Sequence, residues 1–234
     1  MSDWQSHVLD NPAWSALTTH QAHLALGGNL ARCYPPDLTP IGAVASPDRR
    51  ALEALADLIP LGDYLSLPAT LPGLVPLLPP QLRVTLEKTL VQMVSSCRIH
   101  VATRGLELSV LSAADAPEML ALASLTHPGP FRSRTYTLGT YLGIRVDGRL
   151  VAMAGQRMHL PGYREISAVC THPDFEGRGY ARTLVSRLAA AVFDESMTPF
   201  LHFEEANERA QALYISLGFI ERRRLPLLVV ERAA

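Results

Sequence analysis

The sequence predicts an α/β protein of the α+β mixed-sheet kind: a central, mostly antiparallel sheet flanked by helices, preceded by a smaller α/β N-terminal half. Three observations carry this. Periodic segments after residue 105 follow the order strand, helix, three strands, helix, strand, helix, strand. Asp147-Gly148 lies between two apolar-rich runs, and Asp-Gly takes the positive φ that a tight type I′ hairpin turn demands. Most of the 18 prolines lie before residue 131, which breaks the first half into short elements.

In the first half, Asn11-Pro12 predicts a helix with Asn11 as N-cap and Pro12 at the first position. Ser46-Pro47 opens a second one carrying Leu52, Leu55 and Leu58. Ile41 to Ala45 and Tyr64 to Leu67 read as strands. Leu82, Val84 and Leu86 alternate as in a strand, and Val91, Met93 and Cys97 suggest another. The pattern changes around Thr103-Arg104-Gly105, giving two predicted domains, residues 1–104 and 105–234. In the second, Leu106, Leu108 and Val110 form a half-buried strand, and Asp115, Pro117 and Glu118 open a helix through Met119 and Ala123. Tyr141 to Val146 and Leu150 to Met158 make the hairpin, and a turn at Pro161-Gly162 leads to a third strand, Ile166 to Thr171. A helix with Leu184, Val185 and Leu188 on one face, a strand from Phe200 to Phe203, and a helix from Asn207 to its stop at Gly218 follow. Strand structure then runs from Phe219 to about Val230.

Composition narrows the function classes. With 48% hydrophobic and 18% charged residues the chain packs a core, and a net charge of -1 lacks the basic excess of a nucleic-acid binder. Cys33, Cys97 and Cys170 form no CxxC pair, so neither a disulfide scaffold nor a zinc framework is expected. Met1 to Asn11 lacks the charged and apolar regions of a signal peptide, and the apolar stretch Leu65 to Leu78 is cut by Pro68, Pro72 and Pro76. These features lead to the expectation of a cytoplasmic protein without membrane or nucleic-acid partners.

The chemically informative stretch is Val169-Cys170-Thr171-His172-Pro173-Asp174-Phe175-Glu176-Gly177-Arg178-Gly179-Tyr180-Ala181. It joins an apolar strand to an amphipathic helix through two glycines. A helix start offers unpaired N–H groups and partial positive charge, and glycines let a phosphate approach the backbone. Arg178 and Arg182 add positive charge, whereas Glu176 opposes it. Tight strand-to-helix packing without a ligand explains a lone Gly-x-Gly equally well.

The element order and this loop together resemble the GNAT superfamily of acyl-CoA-dependent N-acetyltransferases, whose signature is Gln/Arg-x-x-Gly-x-Gly/Ala. Here Glu176 departs from its first position. Asn207 and Ala212-Leu213-Tyr214-Ile215-Ser216-Leu217-Gly218-Phe219 match a second family pattern, and the resemblance covers about residues 106 to 231. It implies acetyl-CoA as cosubstrate, no metal, and a small-molecule or peptide amine as acceptor. It further implies that backbone around Val169, Cys170 and Thr171 pairs with the pantetheine arm. Gly177, Arg178, Gly179, Tyr180, Ala181 and Arg182 would hold the pyrophosphate, Asn207 would contact the cofactor, and Tyr214 would protonate the departing thiolate.

An ammonium acceptor must lose a proton before it attacks. Glu165 is the first choice of base, by its spacing to the loop in histone-acetylating members; an exposed strand-edge carboxylate is the plainer reading. His202, on the strand before Asn207, is second, with a buried hydrogen-bonded histidine as its plainer reading. His172 reads as a turn residue, Cys170 as packing rather than a nucleophile, and Arg222-Arg223-Arg224 as a solvated face. His20 and His23 have ligand-like spacing but no third partner. Arg132, Arg134 and Tyr136 lie where family members shape the acceptor pocket, and ordinary surface arginines explain them as well. The N-terminal half resembles the glycine N-acyltransferase branch, in which that half is a degenerate copy of the fold; it is expected to cover the acceptor site or to make a homodimer contact. The rival to an enzyme is a non-catalytic acyl-CoA-binding or sensor protein.

Overall fold

The computed structural model describes residues 7–68, 75–95, 97–98 and 105–233. The pattern change at Thr103-Arg104, the start of the chain and Pro72 lie outside them. Helix α1 (Pro12–Thr18) is capped by the Asn11 side chain, as its sequence predicts. Strands β1 (Leu26–Gly27), β2 (Ala31–Cys33) and β3 (Gly42–Val44) form a small antiparallel sheet. Helix α2 (Arg49–Ala56) starts later than Ser46-Pro47 suggests, because the Asp48 carboxylate accepts the Ala51 N–H and makes the better cap. Strands β4 (Tyr64–Pro68) and β5 (Leu82–Ser95) follow. β5 is one 14-residue strand where two were expected.

The second half begins with the short β6 (Ser109–Val110) and α3 (Ala116–Thr126). The capping box belongs to Ser112 and Asp115 and closes a 3-10 turn ahead of α3, while Glu118 instead binds Arg145. β7 (Tyr141–Val146) and β8 (Arg149–Leu160) meet at Asp147-Gly148, both at positive φ (50° and 80°), as a type I′ turn requires. β9 (Tyr163–Thr171), α4 (Tyr180–Asp194), β10 (Thr198–Glu204), α5 (Glu208–Ser216) and β11 (Phe219–Arg232) complete the chain.

Eight strands form one mixed, mostly antiparallel sheet in the order β4-β11-β5-β10-β9-β8-β7-β6, in which β9 and β10 are the parallel pair. β5, from the first half, lies between β10 and β11 and is antiparallel to both, so the main sheet draws strands from both sides of residue 104. Periodicity marks a strand but not its neighbours, so this pairing across residue 104 has no local signal in the sequence. One face of the sheet packs against α4 and α5 through Leu184, Leu188, Tyr214, Leu201 and Phe219. The other is covered by α3 through Met119 and Leu122 against Tyr141 and Met153, and by α1 through Leu17 against Met158 and Phe200.

Candidate active site

The parallel pair parts in mid-sheet. β10 pairs with β9 only from Thr198↔Tyr163 to Leu201↔Ile166. Beyond that, β9 continues through Thr171 while β10 stays with β5 as far as Glu204↔Leu90. A bulge drives the divergence: Cys170 opposes Met153, yet Ser167 opposes Gly155, so β9 carries one extra residue there, with Ala168 at φ 52°. Among the described residues this leaves an unpaired backbone edge between β9 and β10, along which Ser167, Val169 and Thr171 are half-buried and Ala168 and Cys170 face the core. Such an edge can accept an extended ligand as an added strand.

The edge leads through Pro173–Phe175 to the start of α4. Gly177 and Gly179 have φ of 74° and 81°, and no side chain caps the helix, so its first N–H groups are open. Among the described residues, a Cβ at either glycine would meet no atom within 4 Å beyond its own chain neighbours. Space and donors at this turn therefore suit a phosphate group. Arg178 lies over the Phe175 ring at 4.7 Å, and Arg182 donates to Ser216 Oγ at 2.7 Å, tying α4 to α5. Glu176 is bound by Arg209 at 2.8 Å, which offsets the charge that opposed an anion here. Tyr180 is buried in the core, so only its backbone faces the loop, and Ala181 is half-buried. Asn207 caps α5 by accepting the Ala210 N–H at 3.0 Å. Tyr214 is buried between Phe203 and Phe219, and burial pushes its hydroxyl pKa up.

Glu165 is not an exposed edge carboxylate. It is completely buried, and Arg157 grips it with Nε to Oε2 at 2.9 Å and a terminal nitrogen to Oε1 at 2.8 Å. A second bulge, in β8, places Arg157 and Met158 against this one stretch of β9. Burial alone would raise the Glu165 pKa; the charge and hydrogen bonds of Arg157, and then those of His202, overcome it and lower it to about 2. His202 Nδ1 lies 2.8 Å from Glu165 Oε1. His202 is the first β10 residue past the last β9 partner. Its side chain is 4% exposed although the residue as a whole is half-buried, so the exposed part is backbone. The sequence reading missed both Arg157, hidden in an apolar strand, and Gln92, which bonds His202 from β5.

Other candidates resolve differently. Arg132 and Arg134 are engaged by Asp63 at 3.2 Å and Asp37 at 2.8 Å, both from the first half. Arg222 and Arg223 are not merely solvated: both bind the buried Asp10, while Arg224 binds Glu205 and Glu221. His172 accepts the Asp174 N–H in a turn, as expected. The Cys170 thiol is pushed up to about 11 by burial, which disfavours the nucleophilic thiolate. His20 stacks on His159 with ring centroids 4.2 Å apart. Among the described residues no cluster of three or more His, Cys, Asp or Glu could hold a metal, and no helix is long and apolar enough to cross a membrane.

Residues 141–225 match the family model described as FR47-like protein. No curated protein matches the sequence. Among solved structures, a protein from Novosphingobium aromaticivorans assigned to the GNAT acetyltransferase family is 34% identical. It superposes at TM-score 0.88, with 98% of this chain and 100% of that one covered. A GCN5-related N-acetyltransferase from Kribbella flavida, 18% identical, shares the fold at TM-score 0.66 over 97% of this chain and 96% of its own. On that similarity along nearly its whole length, and with the parted strands and open helix start in place, the chain belongs to the GNAT acetyltransferase superfamily, whose members use acyl-CoA.

Proposed function

We propose that the protein transfers the acetyl group of acetyl-CoA to a primary amine of a small molecule or peptide by direct attack. The observation that carries this is the free β9 edge from Ser167 to Thr171 running into the uncapped, glycine-lined start of α4. In this reading the β9 backbone pairs with the pantetheine arm, and the N–H groups of residues 177–182, with Arg178 and Arg182, hold the pyrophosphate. The Asn207 amide nitrogen, left over from capping, serves the cofactor. Acetyl-CoA supplies an activated carbonyl. Tyr214, whose raised pKa keeps the phenol protonated, donates to the departing thiolate.

For the base, the surroundings favour His202 over Glu165. A carboxylate held at about 2 with both oxygens bonded is a poor proton acceptor near neutral pH. A neutral imidazole backed by that carboxylate can take a proton at Nε2 through a water that displaces the Gln92 amide. Glu165 then holds and orients His202. Kinship with the glycine N-acyltransferase branch, resting on a weakly marked first half ahead of the module, belongs to the same proposal, as does a cytoplasmic setting, in keeping with three free cysteines.

The test is release of free CoA from acetyl-CoA with a broad panel of amines. Turnover, slowed in Tyr214→Phe, is the expected result. Thermal stabilisation by acetyl-CoA without turnover of any amine would instead support a binding or sensor protein, and no stabilisation would remove the acyl-CoA reading.

A further inference from the structure

The buried imidazole of His202 is met on its second nitrogen by a residue from the first half of the chain. Gln92, on β5 and fully buried, is the direct cross-strand partner of His202. Its amide nitrogen lies 2.9 Å from His202 Nε2 and also donates to the Leu9 carbonyl at 2.9 Å. Its amide oxygen accepts from Arg222 at 2.9 Å, and Arg222 is anchored by Asp10 at 2.7 Å. These neighbours fix which way the amide points: turned over, it would set oxygen against the Leu9 carbonyl and N–H against the Arg222 guanidinium.

An amide nitrogen can only donate, so His202 Nε2 must accept and carries no proton. The ring proton then sits on Nδ1, where Glu165 Oε1 accepts it at 2.8 Å. Glu165 and Gln92 pull in opposite directions. The carboxylate favours a doubly protonated ring, and the amide N–H, which would face a second N–H, disfavours it. Among the described residues, the Phe200 ring stands near perpendicular to the imidazole with centroids 5.6 Å apart, Arg157 lies behind Glu165, and Arg222, paired with Asp10, lies behind Gln92. We propose that Gln92 is a positioning residue that keeps His202 neutral and its Nε2 unprotonated by donating to that nitrogen, so that the N-terminal half sets the protonation state of the residue at the strand parting. Only the catalytic meaning of this inference rests on the proposed acetyl transfer; the protonation state does not.

Nitrogen NMR of protein labelled at histidine reads that state directly, without substrate. In the wild type, His202 should show the neutral Nδ1–H tautomer at pH 7.5. In Gln92→Met the carboxylate's pull is unopposed, and the His202 midpoint should rise by about 1 pH unit, a tenfold gain in proton affinity. Gln92→Glu should raise it further. Gln92→Leu, which likewise lacks the donor, should move it the same way and serves if Gln92→Met does not fold. A wild-type ring protonated on Nε2, or a midpoint unmoved in a folded Gln92→Met or Gln92→Leu protein, would overturn the proposal. If the enzyme is active, the acid limb of its kcat/KM profile should shift upward in Gln92→Met. If no amine is acetylated while the NMR follows this pattern, the acetyl-transfer reading fails and the positioning role stands.

Discussion

Arg134 and Asp37 are joined twice: the Arg134 guanidinium meets the Asp37 carboxylate at 2.8 Å, and the Arg134 N–H donates to the Asp37 carbonyl at 3.0 Å. Together with Arg132 on Asp63 and Thr135 Oγ1 on the Leu38 carbonyl at 2.5 Å, they strap the segment between α3 and β7 to the first half. The exposed Arg134 pair is worth under about 1 kcal/mol. The buried Thr135 hydroxyl also accepts the Arg132 N–H, so Thr135→Val should cost about 1–3 kcal/mol, whereas Asp37→Asn should scarcely change stability. Urea unfolding separates the two, and equal losses would refute this account of the strap.

A fragment of residues 105–234 should not fold. Without β5, β10 and β11 lose the strand that joins them, and the apolar residues of both are exposed. Expression of the fragment alone should give insoluble or unstructured material by circular dichroism. A soluble, cooperatively melting fragment would contradict the sheet order.

Glu165→Ala should destabilise by about 3–5 kcal/mol, because it leaves the Arg157 charge buried and unpaired. Melting temperatures against pH give a second check. Glu165 moves from 4.5 in its ordinary state to about 2 when folded, so the unfolded chain binds the proton more tightly. Its stabilisation is complete above pH 4.5 and is lost as the pH falls from there towards 2. The stability gap between wild type and Glu165→Gln should therefore narrow across that window. His159 titrates in a higher window that overlaps this one only near its lower end: burial, then Arg164 and His20, lower it from 6.5 to about 4, so its contribution is lost as the pH falls between those values.

Gly179→Val should weaken acetyl-CoA binding at least tenfold while costing the fold about 1–2 kcal/mol, the cost of a left-handed backbone at a branched residue. The new side chain would meet open space rather than protein, so the larger effect should fall on the ligand. Calorimetric titration with acetyl-CoA checks it; unchanged affinity would move the phosphate site elsewhere.

How much of this was legible in the sequence depended on range. The Asn11 cap, the Asp147-Gly148 turn and the glycine loop before Tyr180 were readable because each is decided within a few residues by backbone sterics and hydrogen bonding. The position of β5 was not, since strand order depends on partners about a hundred residues away. Glu165 looked exposed because the charge that lets it be buried, Arg157, sits within a run of apolar residues and reaches it only through a bulge in β8. Gln92 carried no signal at all, as an amide in a strand reads as a surface residue until its neighbours are known.

The place of β5 has a consequence for synthesis. Its two partners are made well after it: β10 begins about a hundred residues after β5 ends, and β11 later still, so at roughly 5–20 residues per second a ribosome leaves β5 without either neighbour for several seconds. During that interval Leu90, Val91 and Met93 have nothing to cover them, so the nascent chain is a natural client for chaperones that bind apolar strands. The sheet closes only when β11 has left the exit tunnel.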